Sequence, residues 1–143
     1  MKLGESEEAP EDIEINSGRI LIVDDNELNC DVASGIMELL GMQTKTVMSG
    51  YECLHLLKDD EQFEIIFMDH MMPEMDGVET MKKIRELGGG MGDIPIVLLT
   101  ANAVTGVREE MLKEGFDDFL TKPIDVDELK RILARFLGVK CKK

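Results

Sequence analysis

Long hydrophobic runs are missing from this 143-residue chain, in which no apolar stretch exceeds six residues. A helix that crosses a bilayer needs about 20 consecutive apolar residues, so no membrane contact is expected. The N-terminus also lacks the basic-then-apolar order of a secretory signal. Cysteine is scarce: Cys30, Cys53 and Cys141 are odd in number and form no CxxC spacing. That pattern argues against a disulfide framework or a zinc site and points to a reducing compartment, so the expected location is cytoplasmic. Basic residues are outnumbered, with 16 Lys and Arg against 30 Asp and Glu and a formal net charge of −14. Phosphate backbones are gripped by Lys and Arg, so nucleic acid is not an expected partner.

What remains is ordinary for a soluble globular chain, with 43% hydrophobic and 32% charged residues. The length allows one domain with one core. Residues 1–17 carry Glu5, Glu7, Glu8, Glu11, Asp12 and Glu14 and read as an acidic, solvated lead-in or interdomain linker. The domain is expected over residues 18–138, followed by a short basic tail at 139–143.

From Arg19 onward strand and helix patterns alternate. The apolar runs Ile20–Val23, Ile65–Met68 and Ile94–Leu99 suit strands buried on both faces. Two weaker strands, Met42–Val47 and Phe116–Leu120, carry polar residues and read as sheet edges. Between them lie helical periods: Leu28, Val32, Ile36, Leu39 and Leu40; Leu54 and Leu57; Val78, Met81, Ile84 and Leu87; Val104, Val107, Met111 and Leu112; and Leu129, Ile132, Leu133, Phe136 and Leu137. Gly41, Gly88 and Gly115 stand in helix-stop positions. Ser49 with Glu52 forms a capping box, and Asp125 with Glu128 caps the last helix while Ile124 and Leu129 staple it. Five βα units in strict alternation predict an α/β fold, a doubly wound parallel sheet in the order 2-1-3-4-5 with helices on both faces.

In such a sheet, ligands bind beyond the carboxyl ends of the strands, at the switch point between strands one and three. Strand one ends on Asp24-Asp25 and strand three on Asp69; strand four ends on Thr100, and Lys122 follows strand five. Three converging carboxylates repel one another unless something neutralises them. Oxygen-only ligands with no nearby His or Cys point to a hard cation, Mg²⁺, Mn²⁺ or Ca²⁺. A cation, a hydroxyl and an ammonium around one carboxylate make a phosphoryl-transfer site. Asp69, between the acidic pair and the Thr100/Lys122 pair, is the best nucleophile.

Four motifs carry a family resemblance: LIVDDN at Leu21–Asn26, MDHMMPEMDG at Met68–Gly77, LTAN at Leu99–Asn102 and TKP at Thr121–Pro123. With these the chain resembles the receiver domains of two-component response regulators, in order, from about Arg19 to Leu137. The resemblance implies a flavodoxin-like fold and a phosphoacceptor, not a turnover enzyme. It implies that Asp24 and Asp25 are the acidic pair, with Asp25 the more direct ligand of Mg²⁺ (Mn²⁺ can substitute). The Met71 carbonyl would be a further ligand, and Lys122-Pro123 would be cis. Asp69 would take phosphate from a histidine kinase or a histidine phosphotransfer domain. Thr100 and the aromatic position Phe119 would form the switch, and Met71 and Asn102 would tune the phosphate lifetime. A downstream protein would read the face of strand 4, helix 4, strand 5 and helix 5, with the chain a monomer or a phosphorylation-dependent dimer. The Leu99–Ala103 stretch and the acidic lead-in resemble receivers of hybrid sensor kinases; the alternative expectation is a single-domain regulator, since no output domain follows Leu137.

Other readings compete. A phosphohydrolase of the haloacid-dehalogenase type, which forms an aspartyl-phosphate intermediate, needs a second acid two residues after the nucleophile, where this chain has Met71. A vestigial receiver acting only as a binding module would not need the full residue set. His70 is expected to face solvent, because neighbouring strand-end side chains diverge, and His55 to lie on a helix surface. Gly88–Gly92 is expected to be a loop at the sheet end opposite the carboxylates. The methionines read as core filler, with Met71, Met72 and Met75 placed to cover the site.

Overall fold

The structure is a computed structural model that describes residues 18–59, 62–88, 93–101 and 105–137. The acidic lead-in, the basic tail, Cys141, Asn102, Val104 and the glycine run beyond Gly88 lie outside the described residues. Five strands alternate with five helices: β1 (Arg19–Val23), α1 (Glu27–Leu39), β2 (Gln43–Val47), α2 (Gly50–Lys58), β3 (Ile65–Asp69), α3 (Gly77–Leu87), β4 (Ile96–Thr100), α4 (Thr105–Glu114), β5 (Asp118–Thr121) and α5 (Val126–Leu137). All pairings are parallel and the sheet order is β2-β1-β3-β4-β5. The predicted architecture and strand order are therefore found.

The three central strands are buried throughout, apart from Arg19 at the start of β1. Alternation along them feeds two cores. Leu21, Val23, Ile66, Met68, Ile96 and Leu98 face α2 and α3, packing on Leu57, Met81 and Ile84. Ile20, Ile22, Ile65, Phe67, Val97 and Leu99 face α1 and α5, packing on Met37, Leu129 and Leu133. The edges are polar as expected: β2 exposes Gln43, Lys45 and Thr46, and β5 is half-buried along most of its length.

Local signals bound the helices. The Ser49 hydroxyl accepts from the Glu52 amide at 3.0 Å, and the Glu52 carboxylate accepts from the Met48 amide at 3.0 Å. Asp76 caps α3 through the Glu79 amide at 2.9 Å, and Asn26 caps α1 through the Asn29 amide at 3.0 Å. Gly41 follows α1 with φ of +94°, a backbone region open mainly to glycine.

Three expectations are corrected. The α1 stripe is only partly core: Leu28, Val32 and Leu39 are exposed, Ile36 and Leu40 are half-buried against the core, and the fully buried face is Cys30, Ala33 and Met37. Both stripes have helical period, and it is Ala33 and Met37 that pack with Ile20 and Ile22 of the sheet. Met72 and Met75 do not cover the site; both are buried in the core beside α2 and α3, and only Met71 is exposed. Strands β4 and β5 begin two residues later than the apolar runs suggest, at Ile96 and Asp118.

Candidate functional site

Parallel register brings the predicted residues to one end of the sheet. Val23 pairs with Met68, so the next residues, Asp24 and Asp69, emerge side by side. Asp69 pairs with Leu99, which puts Thr100 one residue beyond it on the adjacent strand, and Thr100 pairs with Thr121, just before Lys122. Asp24, Asp69 and Thr100 are buried, with 1%, 4% and 3% exposure, and Asp25 is exposed. Burial makes the first two carboxylates a liability that the fold must offset.

Lys122 supplies the offset. Its Nζ donates to Asp69 Oδ1 at 2.8 Å and to Asp24 Oδ2 at 3.2 Å. The Lys122-Pro123 peptide is cis. Asp24 is held on every side: its amide donates to the Val47 carbonyl at 3.1 Å, its Oδ1 accepts from the Asn26 amide at 3.0 Å, and its carbonyl accepts from Cys30 Sγ at 3.3 Å. Burial, followed by the charge of Asp24, pushes the Cys30 thiol up to about 11, so the thiol stays protonated and keeps that bond.

Gly77 fixes the strand-to-helix loop from the other side. Its amide donates to the His70 carbonyl at 2.9 Å, and a Cβ there would lie 2.2 Å from the Asp69 carbonyl oxygen. His70 is half-buried rather than solvent-facing, and its amide donates to the Leu99 carbonyl at 3.0 Å. His55 lies on the surface of α2 as expected, and Asp59 one turn on stands 3.6 Å from it. Phe119 on β5 is half-buried and lines a groove between β5 and α5 with Arg131 and Arg135. Met71 is exposed, two residues past Asp69. Asn26, Cys30 and Gly77 are the supporting residues that chemistry alone does not single out; Asn26 and Gly77 sit inside quoted motifs, whereas Cys30 has no sequence signal.

The electrostatics describe a site short of positive charge. Burial raises the Asp69 carboxyl, the Lys122 hydrogen bond lowers it, and the Asp24 charge raises it again, leaving it at about 6. Burial opposes the Lys122 ammonium, yet the bond and charge of Asp69, then of Asp24, outweigh it and hold the group above its usual range. One oxygen from each of Asp24, Asp25 and Asp69 lies within 4.8 Å of the others. Such an all-oxygen, acidic cluster fits Mg²⁺.

A stability consequence follows. A carboxyl raised from 3.8 in the unfolded chain to about 6 binds more protons when folded. Its cost is absent below pH 4, grows as pH rises to about 6, and stays constant above. Asp69→Asn is expected to stabilise the cation-free protein by about 1–2 kcal/mol at pH 8, with no gain at pH 4, as read by urea melts. A gain that is the same at both pH values would contradict this electrostatic origin.

Comparison with known proteins agrees with this geometry. The response regulator receiver domain family matches residues 20–134. Histidine kinase 3 of Arabidopsis thaliana is 34% identical over 139 residues, covering 84% of this chain and 13% of that protein. Sensor protein GacS of Pseudomonas syringae is 34% identical, covering 85% of this chain and 14% of its own length. The chain therefore spans a small part of these curated relatives. Among solved structures, the receiver domain of the sensor histidine kinase PA1611 from Pseudomonas aeruginosa, with magnesium coordinated in its active-site cleft, is 34% identical with a TM-score of 0.74, covering 85% of this chain and 98% of that one. The receiver domain of Saccharomyces cerevisiae Ssk1, solved with the histidine phosphotransfer protein Ypd1, appears in a match that is 25% identical with a TM-score of 0.77, covering 86% of this chain and 90% of that one. Among the described residues, no helix is long and apolar enough to cross a membrane. By its sequence match, its sheet order and the residues at its strand ends, this chain belongs to the response regulator receiver domain family.

Proposed function

We propose that Asp69 is the phosphoacceptor of a two-component or phosphorelay pathway. The observation that carries this reading is a buried carboxylate at the end of β3, bonded to Lys122 at 2.8 Å and clustered with Asp24 and Asp25. An oxygen of Asp69 attacks the phosphorus of a phosphohistidine on a kinase or phosphotransfer protein. The new P–O bond forms as the P–N bond breaks, the electron pair returns to the imidazole, and the imidazole takes a proton from water. Lys122 and the Thr100 hydroxyl hold equatorial phosphoryl oxygens. Asp24, Asp25, Asp69 and the Met71 carbonyl would hold Mg²⁺, or Mn²⁺ in its place, which supplies positive charge against the acidic cluster. Water later hydrolyses the acyl phosphate, so the chain resets itself without turning over an outside substrate.

The switch reading joins Thr100 to Phe119. A bound phosphoryl group draws the Thr100 hydroxyl toward it, Phe119 moves into the space vacated, and the β4–α4–β5–α5 face changes for a downstream partner. The Phe119 ring carries no hydroxyl, so the switch uses no side-chain hydroxyl at this position. Residues 1–17 read as a linker into a larger sensor kinase acting in the cytoplasm, with 18–138 as the receiver. On this reading the donor approaches over the sheet end between α1 and the Lys122 loop. Incubation with Mg²⁺ and acetyl phosphate is expected to add one phosphoryl mass, and excess chelator to prevent it. Labelling that survives the chelator would count against the cation-assisted reading.

A further inference from the structure

The ladder between β1 and β2 stops where the acidic pair begins, and a side chain completes it. In the parallel register of these strands the Asp24 amide donates to the Val47 carbonyl at 3.1 Å. One more rung would bring the Ser49 amide to the Asp24 carbonyl. Ser49 has left the sheet by then: β2 ends at Val47, and Ser49 caps α2. Asp24 is buried, and a buried carbonyl without a donor is costly. The Cys30 thiol takes the place of the missing amide. It lies on the buried face of α1 and donates to the Asp24 carbonyl at 3.3 Å.

The consequence reaches beyond that carbonyl. The peptide group that carries the Asp24 carbonyl also carries the Asp25 amide, and the group is planar. Its tilt therefore decides where the Asp25 Cα and carboxylate stand. Asp24 has other restraints, since its carboxylate accepts from the Asn26 amide at 3.0 Å and from Lys122 at 3.2 Å. Asp25 is exposed, and among the described residues it makes no backbone hydrogen bond of its own. The thiol is thus the contact that orients the peptide between the two acids. Through that peptide it places the one exposed member of the three carboxylates whose oxygens lie within 4.8 Å of one another.

We propose that Cys30 is a positioning residue for the divalent cation: by holding the Asp24–Asp25 peptide, its thiol turns the Asp25 carboxylate toward Asp24 and Asp69. The proposal rests on the reading of these three carboxylates as a Mg²⁺ site, and it adds a side chain that touches neither cation nor phosphate. A thiol is compact enough to be buried and carries one donor. Alanine and valine supply bulk without a donor, and serine supplies the donor in nearly the same shape.

The test measures Mg²⁺ binding by calorimetry, with no phosphoryl donor present, on the full unaltered chain and on Cys30→Ala, Cys30→Val and Cys30→Ser. The alanine and valine variants are expected to bind Mg²⁺ about three- to tenfold more weakly, as the loss of one hydrogen bond implies, and the serine variant to stay within about twofold of the unaltered chain. With acetyl phosphate, the Mg²⁺ concentration for half-maximal labelling should rise by the same factor in the first two variants, while the rate at saturating Mg²⁺ stays within about twofold. A side chain that only fills space would lower stability in urea melts and leave the Mg²⁺ affinity of the folded chain alone. Equal affinity in the unaltered, alanine and valine chains therefore overturns the proposal. So does a serine variant that binds as weakly as alanine, because the donor is then not what matters. If the unaltered chain binds no Mg²⁺, the cation reading fails and this proposal falls with it. If it binds Mg²⁺ but acetyl phosphate does not label it, the acceptor reading fails, and weakened binding in the alanine and valine variants, restored by serine, would still support the role of Cys30.

Discussion

Gly77→Ala is expected to cost about 3 kcal/mol or more of folding stability and to impair phosphorylation in whatever fraction still folds. The cause is a close approach. The added Cβ would stand 2.2 Å from the Asp69 carbonyl oxygen, 3.1 Å from its carbonyl carbon and 3.2 Å from the His70 Cα. All three are backbone atoms, so no rotamer change relieves the contact. Either α3 moves away from the sheet or the end of β3 shifts. The first breaks the hydrogen bond that the Gly77 amide donates to the His70 carbonyl and disturbs Met81 and Ile84, both buried in the core beside the sheet. The second displaces Asp69 from Lys122. Urea melts read the stability, and acetyl phosphate labelling reads the site. A cost below about 1 kcal/mol with full labelling would show that the loop relaxes easily, and that Gly77 does not set the position of Asp69.

Lys122→Met is the second large effect. It keeps the length of the side chain and removes the ammonium that bonds both buried carboxylates. Breaking a buried pair by deleting one partner costs about 3–5 kcal/mol, since the remaining charge is uncompensated. Here two carboxylates remain, and without Lys122 the Asp69 carboxyl moves further above its value of about 6. The sign follows from proton binding: the raised group prefers its protonated form, so the folded variant binds more protons than the unfolded one. The deficit should therefore be greatest at pH 8 and shrink as pH falls to about 5, and Mg²⁺ should recover part of it at pH 8. Phosphorylation by acetyl phosphate should slow about 100-fold or more, because one positive group aimed at the phosphoryl oxygens is gone. A normal rate in Lys122→Met would remove Lys122 from the phosphoryl-holding role.

Much of this was legible in the sequence because buried parallel strands have a plain signature. The runs at Ile20, Ile65 and Ile96 admit no polar residue, and where each stops a functional group emerges at the same end of the sheet. Polar residues in β2 and β5 sufficed to place those strands at the edges. Helix faces were harder. Helix α1 has two apolar stripes of the same period, and periodicity cannot say which meets the sheet; the fold buries Cys30, Ala33 and Met37 and leaves Leu28, Val32 and Leu39 exposed. For the loop methionines, Pro73 and Gly77 mark a loop without saying where its side chains go. Met72 and Met75 turn into the core beside α2 and α3. Cys30 illustrates a deeper limit: its bond to the Asp24 carbonyl depends on six residues of backbone path between them, which no spacing rule encodes.

The central claim is that phosphate is carried on Asp69 and nowhere else. Borohydride reduction of the protein after Mg²⁺ and acetyl phosphate converts an aspartyl phosphate to homoserine, and peptide mass spectrometry locates it. The expected result is homoserine at position 69 alone, absent when Mg²⁺ is chelated. Phosphate retained on His70 through the reduction, or homoserine at position 24 or 25 with Asp69 intact, would contradict the assignment.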